Sequence, residues 1–322
     1  MERRDVLEAA TRIRSYVRRT PVIGVDFPDL LSLHLKLETQ QITGSFKPRG
    51  IFNKMLMASE TGALGPAGAV IASGGNAGLA AAHAARILGV PVRVFLPNSV
   101  SPIKARTLQQ LGAHVCIGGD FYPDALAASL AHAKTSGALF LHAFDQDEVA
   151  AGHGTLGLEL FEQLPQVDTV LVAVGGGGLL SGLIAGIPGH VHVVAVESDG
   201  CPSLHQALQA DGPVDSPVGG IAADALGANR VSRLAYTQAV AGRAASVLVT
   251  DEAIAMARQA LWRTARLAVE WGSAAPMAAL FSGAYEPRPD ECVAVVLCGA
   301  NTDPSDLEAD RERTGQPMSF AT

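Results

Sequence analysis

Residues 68–117 read GAVIASGGNAGLAAAHAARILGVPVRVFLPNSVSPIKARTLQQLGAHVCI, and this stretch decides the fold. Apolar runs at 68–73, 90–96 and 113–117 predict strands, because each is short and rich in valine or isoleucine. The segments between them, 77–88 and 101–111, have the composition and spacing of helices. Strands that alternate with helices predict a parallel sheet covered by helices.

The same architecture returns later in the chain. Residues 168–174 predict a strand, four glycines follow, and a predicted helix near 179–187 leads to another strand at 190–197. A strand at 245–249, a helix from about 251 to 267, a short helix from Ser273 and a final apolar strand at 292–298 complete the pattern. Residues 301–322 are polar and are expected to be loose. We therefore predict an α/β protein of two lobes, each an open twisted and mainly parallel sheet with helices on both faces.

Composition excludes several classes of protein. A chain of 322 residues with 48% hydrophobic residues can bury a large core. Its net charge of −7, without a long basic run, argues against nucleic acid and anionic membranes as partners, which leaves small molecules. The apolar tract at 167–196 is broken by glycines and Pro188, so it predicts no membrane span. Four widely spaced cysteines predict neither disulfides nor a zinc site, and favour a cytoplasmic location.

Lys47 lies in an unusual place for a lysine, within T-G-S-F-K-P-R-G at 43–50. Pro48 suits the first position of a helix, so Lys47 is expected at the positive end of a helix dipole. That end and an apolar setting both disfavour the ammonium form, and the neutral amine is the form that attacks a carbonyl. Taken alone, a surface lysine at a loop–helix junction explains this segment equally well.

Two glycine-rich turns follow predicted strands and precede predicted helices. They are S-G-G-N-A-G at 73–78 and G-G-G-G-L-L-S-G at 175–182. Such turns present backbone N–H groups at the positive end of a helix, where anions bind, although each also occurs without a ligand. Together with Lys47 they predict a cofactor that carries both an aldehyde and a phosphate. Pyridoxal phosphate is such a molecule.

A dinucleotide site is the competing interpretation of the second turn. Gly176 and Gly178 fit the G-x-G-x-x-G fingerprint, and Glu197 supplies an acid after the next strand, but Ser181 occupies the third glycine position. An NAD-dependent oxidoreductase therefore stays as an alternative. It explains neither Lys47 nor the first turn.

Five stretches together resemble the fold-type II pyridoxal-phosphate enzymes, and within them the serine/threonine dehydratase group. They are KLETQQITGSFKPRG, SGGNAGLAAAHAARILGVP, AGHGT, VGGGGLLSG and LCGAN, in that order between residues 36 and 301. The resemblance implies a tryptophan-synthase-β-like fold and a homodimer. It also implies a large cofactor-binding domain of residues 1–44 and 148–322, and a small domain of residues 45–147 that carries Lys47 and the loop 73–76.

The resemblance implies roles for individual residues around the cofactor. Lys47 would form the Schiff base and later move the substrate α-proton, and Asn76 would hydrogen-bond the ring hydroxyl. Phe46 would pack near one face of the ring, and Ala223 or Ala225 near the other. The phosphate cradle would be formed by Gly175, Gly176, Gly177, Gly178 and Leu179.

The resemblance also places the substrate and the ring nitrogen. The substrate carboxylate would bind to the backbone and hydroxyl donors of Ser73, Gly74, Gly75, Asn76 and Ala77. Cys298 would lie against the pyridine nitrogen. A thiol does not protonate that nitrogen as a carboxylate does, which favours elimination over transamination. An inert buried thiol is the structural alternative for Cys298.

The implied reaction is the α,β-elimination of water from L-serine or L-threonine, which yields ammonia and pyruvate or 2-oxobutanoate. The cofactor phosphate is the expected acid for the leaving hydroxyl. Other enzymes of the same fold remain open, namely a serine or hydroxyaspartate racemase or dehydratase and a β-replacement synthase. A non-catalytic binding protein is a further alternative.

Four residues depart from the family pattern. Ser203 stands six residues after Glu197, where members that bind a divalent ion carry an acid, so Glu197 predicts a monovalent cation such as potassium. A solvated carboxylate is the alternative for Glu197. The missing methyl of Gly74 is expected to widen the space beside the substrate. His153 replaces a usual glutamine and His142 lacks a following proline, but neither is assigned a catalytic role.

Overall fold

The structure is a computed structural model and describes residues 1–27 and 32–309. Its strands are β1 (Val22–Val25), β2 (Leu33–Leu37), β3 (Ala69–Ala72), β4 (Val92–Leu96), β5 (His114–Ile117), β6 (Leu139–Leu141), β7 (Thr169–Ala173), β8 (His192–Ser198), β9 (Ala245–Val249) and β10 (Val293–Leu297). Its helices are α1 (Arg3–Ile13), α2 (Lys47–Glu60), α3 (Asn76–Leu88), α4 (Pro102–Gln110), α5 (Tyr122–Ser136), α6 (Asp147–Gln163), α7 (Gly178–Gly186), α8 (Ser203–Gln209), α9 (Ala223–Leu226), α10 (Arg233–Ala241), α11 (Asp251–Ala260), α12 (Trp271–Phe281) and α13 (Asp306–Ala309).

The described chain forms two compact units. The first unit contains residues 1–19, 41–159 and 177–188, and the second contains 20–27, 32–40, 160–176 and 189–309. These divisions differ from the predicted domain boundaries, because α1, α7 and most of α6 group with α2 and the four-stranded sheet. The predicted division into a large and a small domain stays a prediction.

The first unit is built on a four-stranded sheet in the order β5-β4-β3-β6, with all neighbours parallel. Register places Ala69 of β3 opposite Val92 of β4 on one side and Leu139 of β6 on the other. Helix α3 is rich in alanine and buries most of its length, so its backbone packs close to its neighbours. The carboxyl ends of β3 and β6 consequently lie side by side.

The second unit is built on a six-stranded sheet in the order β1-β2-β10-β7-β8-β9. Only the β1–β2 pair is antiparallel. Every residue of β7 and β10 is buried, as expected for central strands that helices cover on both faces. The predicted α/β fold with two mainly parallel sheets is confirmed.

Element ends differ from the sequence predictions by a few residues. Helix α2 begins at Lys47, one residue before the expected start, because the first N–H groups of a helix need no partner and Pro48 is tolerated at the second position. Helix α12 begins at Trp271, and α11 ends at Ala260 before a π-helical turn at Leu261–Ala265. Of the predicted loose tail at 301–322, residues 310–322 lie outside the described residues. Within residues 301–309 the chain forms the short helix α13.

No helix among residues 1–27 and 32–309 is long and apolar enough to cross a membrane. Residues 167–196 contain β7, α7 and most of β8.

Candidate active site

Lys47 is the first residue of α2, and its amine is held at two points in the first unit. Nζ donates a hydrogen bond to the carbonyl oxygen of Ala143 at 2.7 Å. The same atom lies 4.8 Å from the ring centroid of Phe46, which is buried. A carbonyl and the face of an aromatic ring both stabilise an ammonium group, so these contacts offset the unfavourable helix dipole.

The turn at 142–146 explains why the Ala143 carbonyl is available. The backbone N–H of Asp145 donates to His142 Nδ1 at 2.9 Å, and the backbone N–H of His142 donates to Gln146 Oε1 at 2.9 Å. These bonds fix the backbone immediately after β6. Ala143 was not predicted from the sequence, since every residue has a backbone carbonyl and none marks it as a ligand. The only available signal was that β6 ends beside β3 in the sheet.

The loop between β3 and α3 carries the predicted substrate residues. Gly75 is the N-cap of α3, which begins at Asn76, and the Gly75 N–H donates to Ser73 Oγ at 3.4 Å. A Cβ atom at Gly78 would overlap the carbonyl oxygen of Ser73, so this loop requires glycine there. The start of α3 therefore presents backbone donors close to Ser73, as an anion site requires.

Gly74 and Gly75 face different surroundings. A Cβ atom at Gly74 would point at apolar side chains, 3.2 Å from Leu96 Cδ2 and 3.5 Å from Val100 Cγ2. A methyl group at Gly74 would therefore contact these two side chains, and the expected extra space beside the substrate stays a prediction. A Cβ atom at Gly75 would have no heavy atom within 4 Å.

The four-glycine turn joins β7 to α7. Gly177 is the N-cap of α7 and has a φ of 84°, a left-handed conformation that glycine adopts at little cost. A Cβ atom at Gly178 would lie 2.8 Å from the carbonyl oxygen of Phe144, and one at Gly175 would lie 2.9 Å from Leu226 Cα. A side chain at any of these three positions would therefore be strained or would clash with a neighbouring residue. Leu179, the second residue of α7, is buried.

Cys298 follows β10 in the second unit and is half-buried. The backbone N–H and the carbonyl of the next residue, Gly299, are both hydrogen-bonded. Its N–H donates to Ser273 Oγ at 3.2 Å, and its carbonyl accepts from the Glu270 N–H at 3.1 Å. Glu270 Oε1 also accepts from the Asn301 N–H at 2.9 Å. Glu270 and Ser273 therefore fix the backbone beside Cys298, and neither was predicted from the sequence.

Ala223 is the first residue of α9 and packs, like Cys298, against the apolar core of the second unit. The nearby loop is anchored to α11, because the Ile221 N–H donates to Asp251 Oδ2 at 3.1 Å. Ala225 is exposed, although its methyl carbon lies beside α12, where a Cβ atom at Gly272 would be 2.8 Å from it. The choice between Ala223 and Ala225 stays a prediction.

Glu197 lies near the end of β8 and is buried, so it is not a solvated carboxylate. Its Oε1 accepts from the Leu204 N–H at 2.7 Å and its Oε2 from the His205 N–H at 2.8 Å, and Ser203 Oγ lies 3.3 Å from Oε1. The side chain thereby caps α8. No cluster of three or more His, Cys, Asp or Glu residues in the described part of the chain is arranged for a metal ion. The predicted monovalent cation site stays a prediction.

Burial raises the pKa of Glu197 to about 7, although the hydrogen bonds from α8 act in the opposite direction. A carboxyl whose pKa is higher in the folded state than its ordinary value of 4.5 loses its stabilising contribution as pH rises from about 4.5 to 7. We expect Glu197→Gln to remove this loss, which is roughly 3 kcal/mol for a shift of this size.

The measurement for Glu197 is urea unfolding of both proteins at several pH values between about 4.5 and 8, which span the shifted pKa. The free energy of unfolding of Glu197→Gln should fall less over this range than that of the unchanged protein. Glu252→Gln, which alters an exposed carboxylate in α11, is the matched control. Parallel pH profiles for Glu197→Gln and the unchanged protein would contradict the raised pKa.

His142 and His153 both lie in the first unit, as Lys47 does. Burial, followed by the charge of Lys47, lowers the pKa of the His153 imidazole well below its ordinary value. Burial also lowers the pKa of His142, where Asp145 opposes the effect and Lys47 adds to it. Both rings therefore favour the neutral form.

The residues present fit a cofactor with an aldehyde and a phosphate. A half-buried amine stands at the start of α2, and α7 begins with glycines whose backbone N–H groups carry no side chain over them, with Gly178 packed directly against the backbone of Phe144. Both features belong to the first unit. The second unit carries Gly175, Gly176 and the Cys298 thiol at the carboxyl ends of its central strands.

Comparison with known proteins agrees with this fit. Residues 13–299 match the family described as "Pyridoxal-phosphate dependent enzyme". An L-threonine ammonia-lyase of Geobacter sulfurreducens is 36% identical over 316 residues, which covers 96% of this chain and 77% of that protein. The match leaves the NAD-dependent alternative without support.

Two solved structures resemble this one over nearly their whole length. A threonine deaminase from T.th. has a TM-score of 0.85 and 31% identity, covering 94% of this chain and 99% of that one. A maize serine racemase has a TM-score of 0.87 and 25% identity, covering 97% of each chain. Sequence, fold and site agree, and the chain belongs to the pyridoxal-phosphate dependent enzymes of fold type II.

Proposed function

We propose that the protein is an ammonia-lyase that removes water and ammonia from L-threonine, L-serine or both. The observation that carries the proposal is the amine of Lys47, placed at the start of α2 in the same unit as the glycine cradle of α7. The 36% identity to an L-threonine ammonia-lyase supports the choice of reaction within the family.

Pyridoxal phosphate, when bound, draws electrons from the bonds of the substrate α-carbon. The protein residues do the rest in this proposal. Lys47 would hold the aldehyde through Nζ, and the same atom, once free, would take the α-proton of the substrate. The Ala143 carbonyl orients Nζ through its hydrogen bond of 2.7 Å. The backbone N–H groups at the start of α7 bind the phosphate.

The start of α3 binds the substrate carboxylate in this proposal, with Ser73 and the backbone of 74–77 as donors. Asn76 and Phe46 would hold the cofactor ring, Ala223 would pack against it, and Cys298 would hydrogen-bond its nitrogen. The Glu270 and Ser273 bonds to Gly299 support the position of Cys298. A thiol there is a weak hydrogen-bond donor, so charge on the ring is only partly stabilised and loss of the β-hydroxyl as water is favoured.

A serine racemase of the same fold is the second candidate, because the maize enzyme shares 25% identity and a TM-score of 0.87. Racemisation requires a second acid–base group to return the proton on the face opposite Lys47. The higher identity to an L-threonine ammonia-lyase, 36% against 25% for the racemase, favours the ammonia-lyase.

Three further expectations belong to the same proposal. We infer a cytoplasmic protein, which the four cysteines, all free of disulfide bonds, support. A homodimer and a monovalent cation such as potassium near Glu197 complete it. The buried carboxylate of Glu197 is the feature that supports the cation.

The test is an assay of the purified holoenzyme with a panel of amino acids. We expect L-threonine and L-serine to give 2-oxo acids in amounts that match the ammonia released, with 3-hydroxyaspartate as a third substrate to compare. Chiral analysis of the remaining serine distinguishes a racemase, which would produce D-serine without ammonia. A protein that binds NAD and shows no borohydride-sensitive absorbance would refute the cofactor assignment.

A further inference from the structure

Helix α6 touches both α2 and α7 backbone to backbone. A Cβ atom at Gly152 would overlap the carbonyl oxygen of Arg49 in α2. A Cβ atom at Gly154 would lie 2.5 Å from the carbonyl oxygen of Gly182 in α7. No side chain fits at either contact, so α6 fixes the helix that begins with Lys47 and the helix that begins with the glycine cradle.

His153 lies between these two glycines. Its ring is completely buried, and its centroid is 4.7 Å from that of Phe46 in an edge-on arrangement of 66°. The Phe46 centroid is in turn 4.8 Å from Lys47 Nζ. The three side chains thus form one continuous contact from the middle of α6 to the amine of Lys47.

The imidazole has a cost that its packing alone does not explain. Neither Nδ1 nor Nε2 forms a hydrogen bond of good geometry among the described residues, and the backbone of Gly178 at the start of α7 gives the ring only a weak one. A buried polar group without a partner costs about 1–3 kcal/mol, and an apolar side chain would avoid this cost. The favourable contact that the imidazole does make is the one with the Phe46 ring.

The charges that face His153 are both cationic. Lys47 and Arg49 approach it from α2, and each lowers the pKa of the imidazole. On α6 itself the carboxylate of Glu159 pairs with Arg49 at 2.8 Å. Helix α7 contains no titratable residue, and the backbone of Gly178 at its start raises the pKa of the imidazole without outweighing burial. The ring therefore stays neutral beside Lys47 at ordinary pH and adds no repulsion to it.

We propose that His153 is a positioning residue for Lys47, which it orients by holding the Phe46 ring against the amine. The inference rests on the proposed role of Lys47 in binding the cofactor. The proposal assigns to His153 the role of setting the direction in which Lys47 Nζ meets the cofactor aldehyde. It assigns His153 no contact with the substrate.

The test compares His153→Leu, which removes the ring, with His153→Phe, which keeps an aromatic edge against Phe46. The first readout is the rate at which apoprotein regains its borohydride-sensitive absorbance after pyridoxal phosphate is added. We expect His153→Leu to slow this step about tenfold, because small displacements of a reacting group have large effects. His153→Phe should stay within about threefold of the unchanged protein.

The second readout is steady-state kinetics. His153→Leu should lower kcat about tenfold and change KM less than about threefold, because the substrate contacts remain. His83→Leu is the matched control. His83 of α3 packs edge-on against Phe52 of α2, with the two ring centroids 6.0 Å apart. Its attachment rate and kcat should remain within about twofold of the unchanged values.

Several results would overturn the proposal. A normal attachment rate and a normal kcat in His153→Leu would do so, and so would equal defects in His153→Leu and His153→Phe. Should His153→Leu fail to fold, Phe46→Leu interrupts the same contact, and normal attachment in that variant would refute the proposal. Absence of the absorbance in the unchanged protein would refute the proposed function itself, and with it this inference.

Discussion

Lys47→Ala is expected to abolish measurable turnover of L-threonine and L-serine while the protein stays folded. The amine has two roles in the proposed mechanism, since it binds the cofactor covalently and then takes the α-proton. Loss of a general base alone slows a reaction by about 10²–10⁴-fold, and loss of the covalent attachment adds to this. The side chain is half-buried and is not part of the apolar core, so stability should change little.

The measurement combines turnover with covalent labelling. Treatment with borohydride should fix the cofactor to the unchanged protein, and mass spectrometry should find it on the peptide that contains Lys47. Lys54→Ala is the matched control, because Lys54 lies in the same helix and pairs with Glu148 at 2.9 Å. Labelling or full activity in Lys47→Ala would refute the mechanism, whereas Lys54→Ala should retain both.

Arg49→Ala should cause a large loss of stability. The Arg49 guanidinium is completely buried and forms two hydrogen bonds of 2.8 Å to the carboxylate oxygens of Glu159. It also donates to Thr155 Oγ1 at 3.1 Å and to the Arg18 carbonyl at 3.3 Å. Removing one partner of a buried ion pair costs about 3–5 kcal/mol, because the remaining charge loses its compensation.

Urea unfolding of the purified variants measures this effect. Arg230→Ala provides the control, since its ion pair with Asp215 also spans 2.9 Å but is exposed, and such pairs contribute less than about 1 kcal/mol. The double change Arg49→Met with Glu159→Leu should recover most of the loss, because apolar packing replaces the buried pair. Equal effects of Arg49→Ala and Arg230→Ala would contradict the argument.

The sequence predicted seven of the ten strands in the described part of the chain, because those seven are short apolar runs with helices between them, whereas β1, β2 and β6 were not predicted. Strands such as β7 and β10 are buried on both faces, so their sequences are continuously hydrophobic and easily recognised. The two glycine turns were also recognisable, since glycine at Gly177 and Gly178 answers local steric demands. These features are visible in a short stretch of chain.

Other parts of the site depend on contacts between distant segments. The bond from Lys47 to the Ala143 carbonyl joins residues 96 positions apart and involves only a backbone acceptor. The burial of Glu197 was equally difficult to predict, because a carboxylate at a strand end is usually solvated. Here α8 starts at Ser203 and covers it. The grouping of α6 and α7 with the first unit also follows from packing that local sequence does not reveal.

The contacts of α6 constrain three consecutive residues. At Gly152 and Gly154 any side chain would overlap the backbone of a neighbouring helix, so only glycine fits at these two positions. His153, between them, is buried against the Phe46 ring and lies close to the backbone of Gly50, so its position is also tightly filled. A change at any of these three residues would therefore be transmitted to the start of α2, since nothing between the two helices can yield.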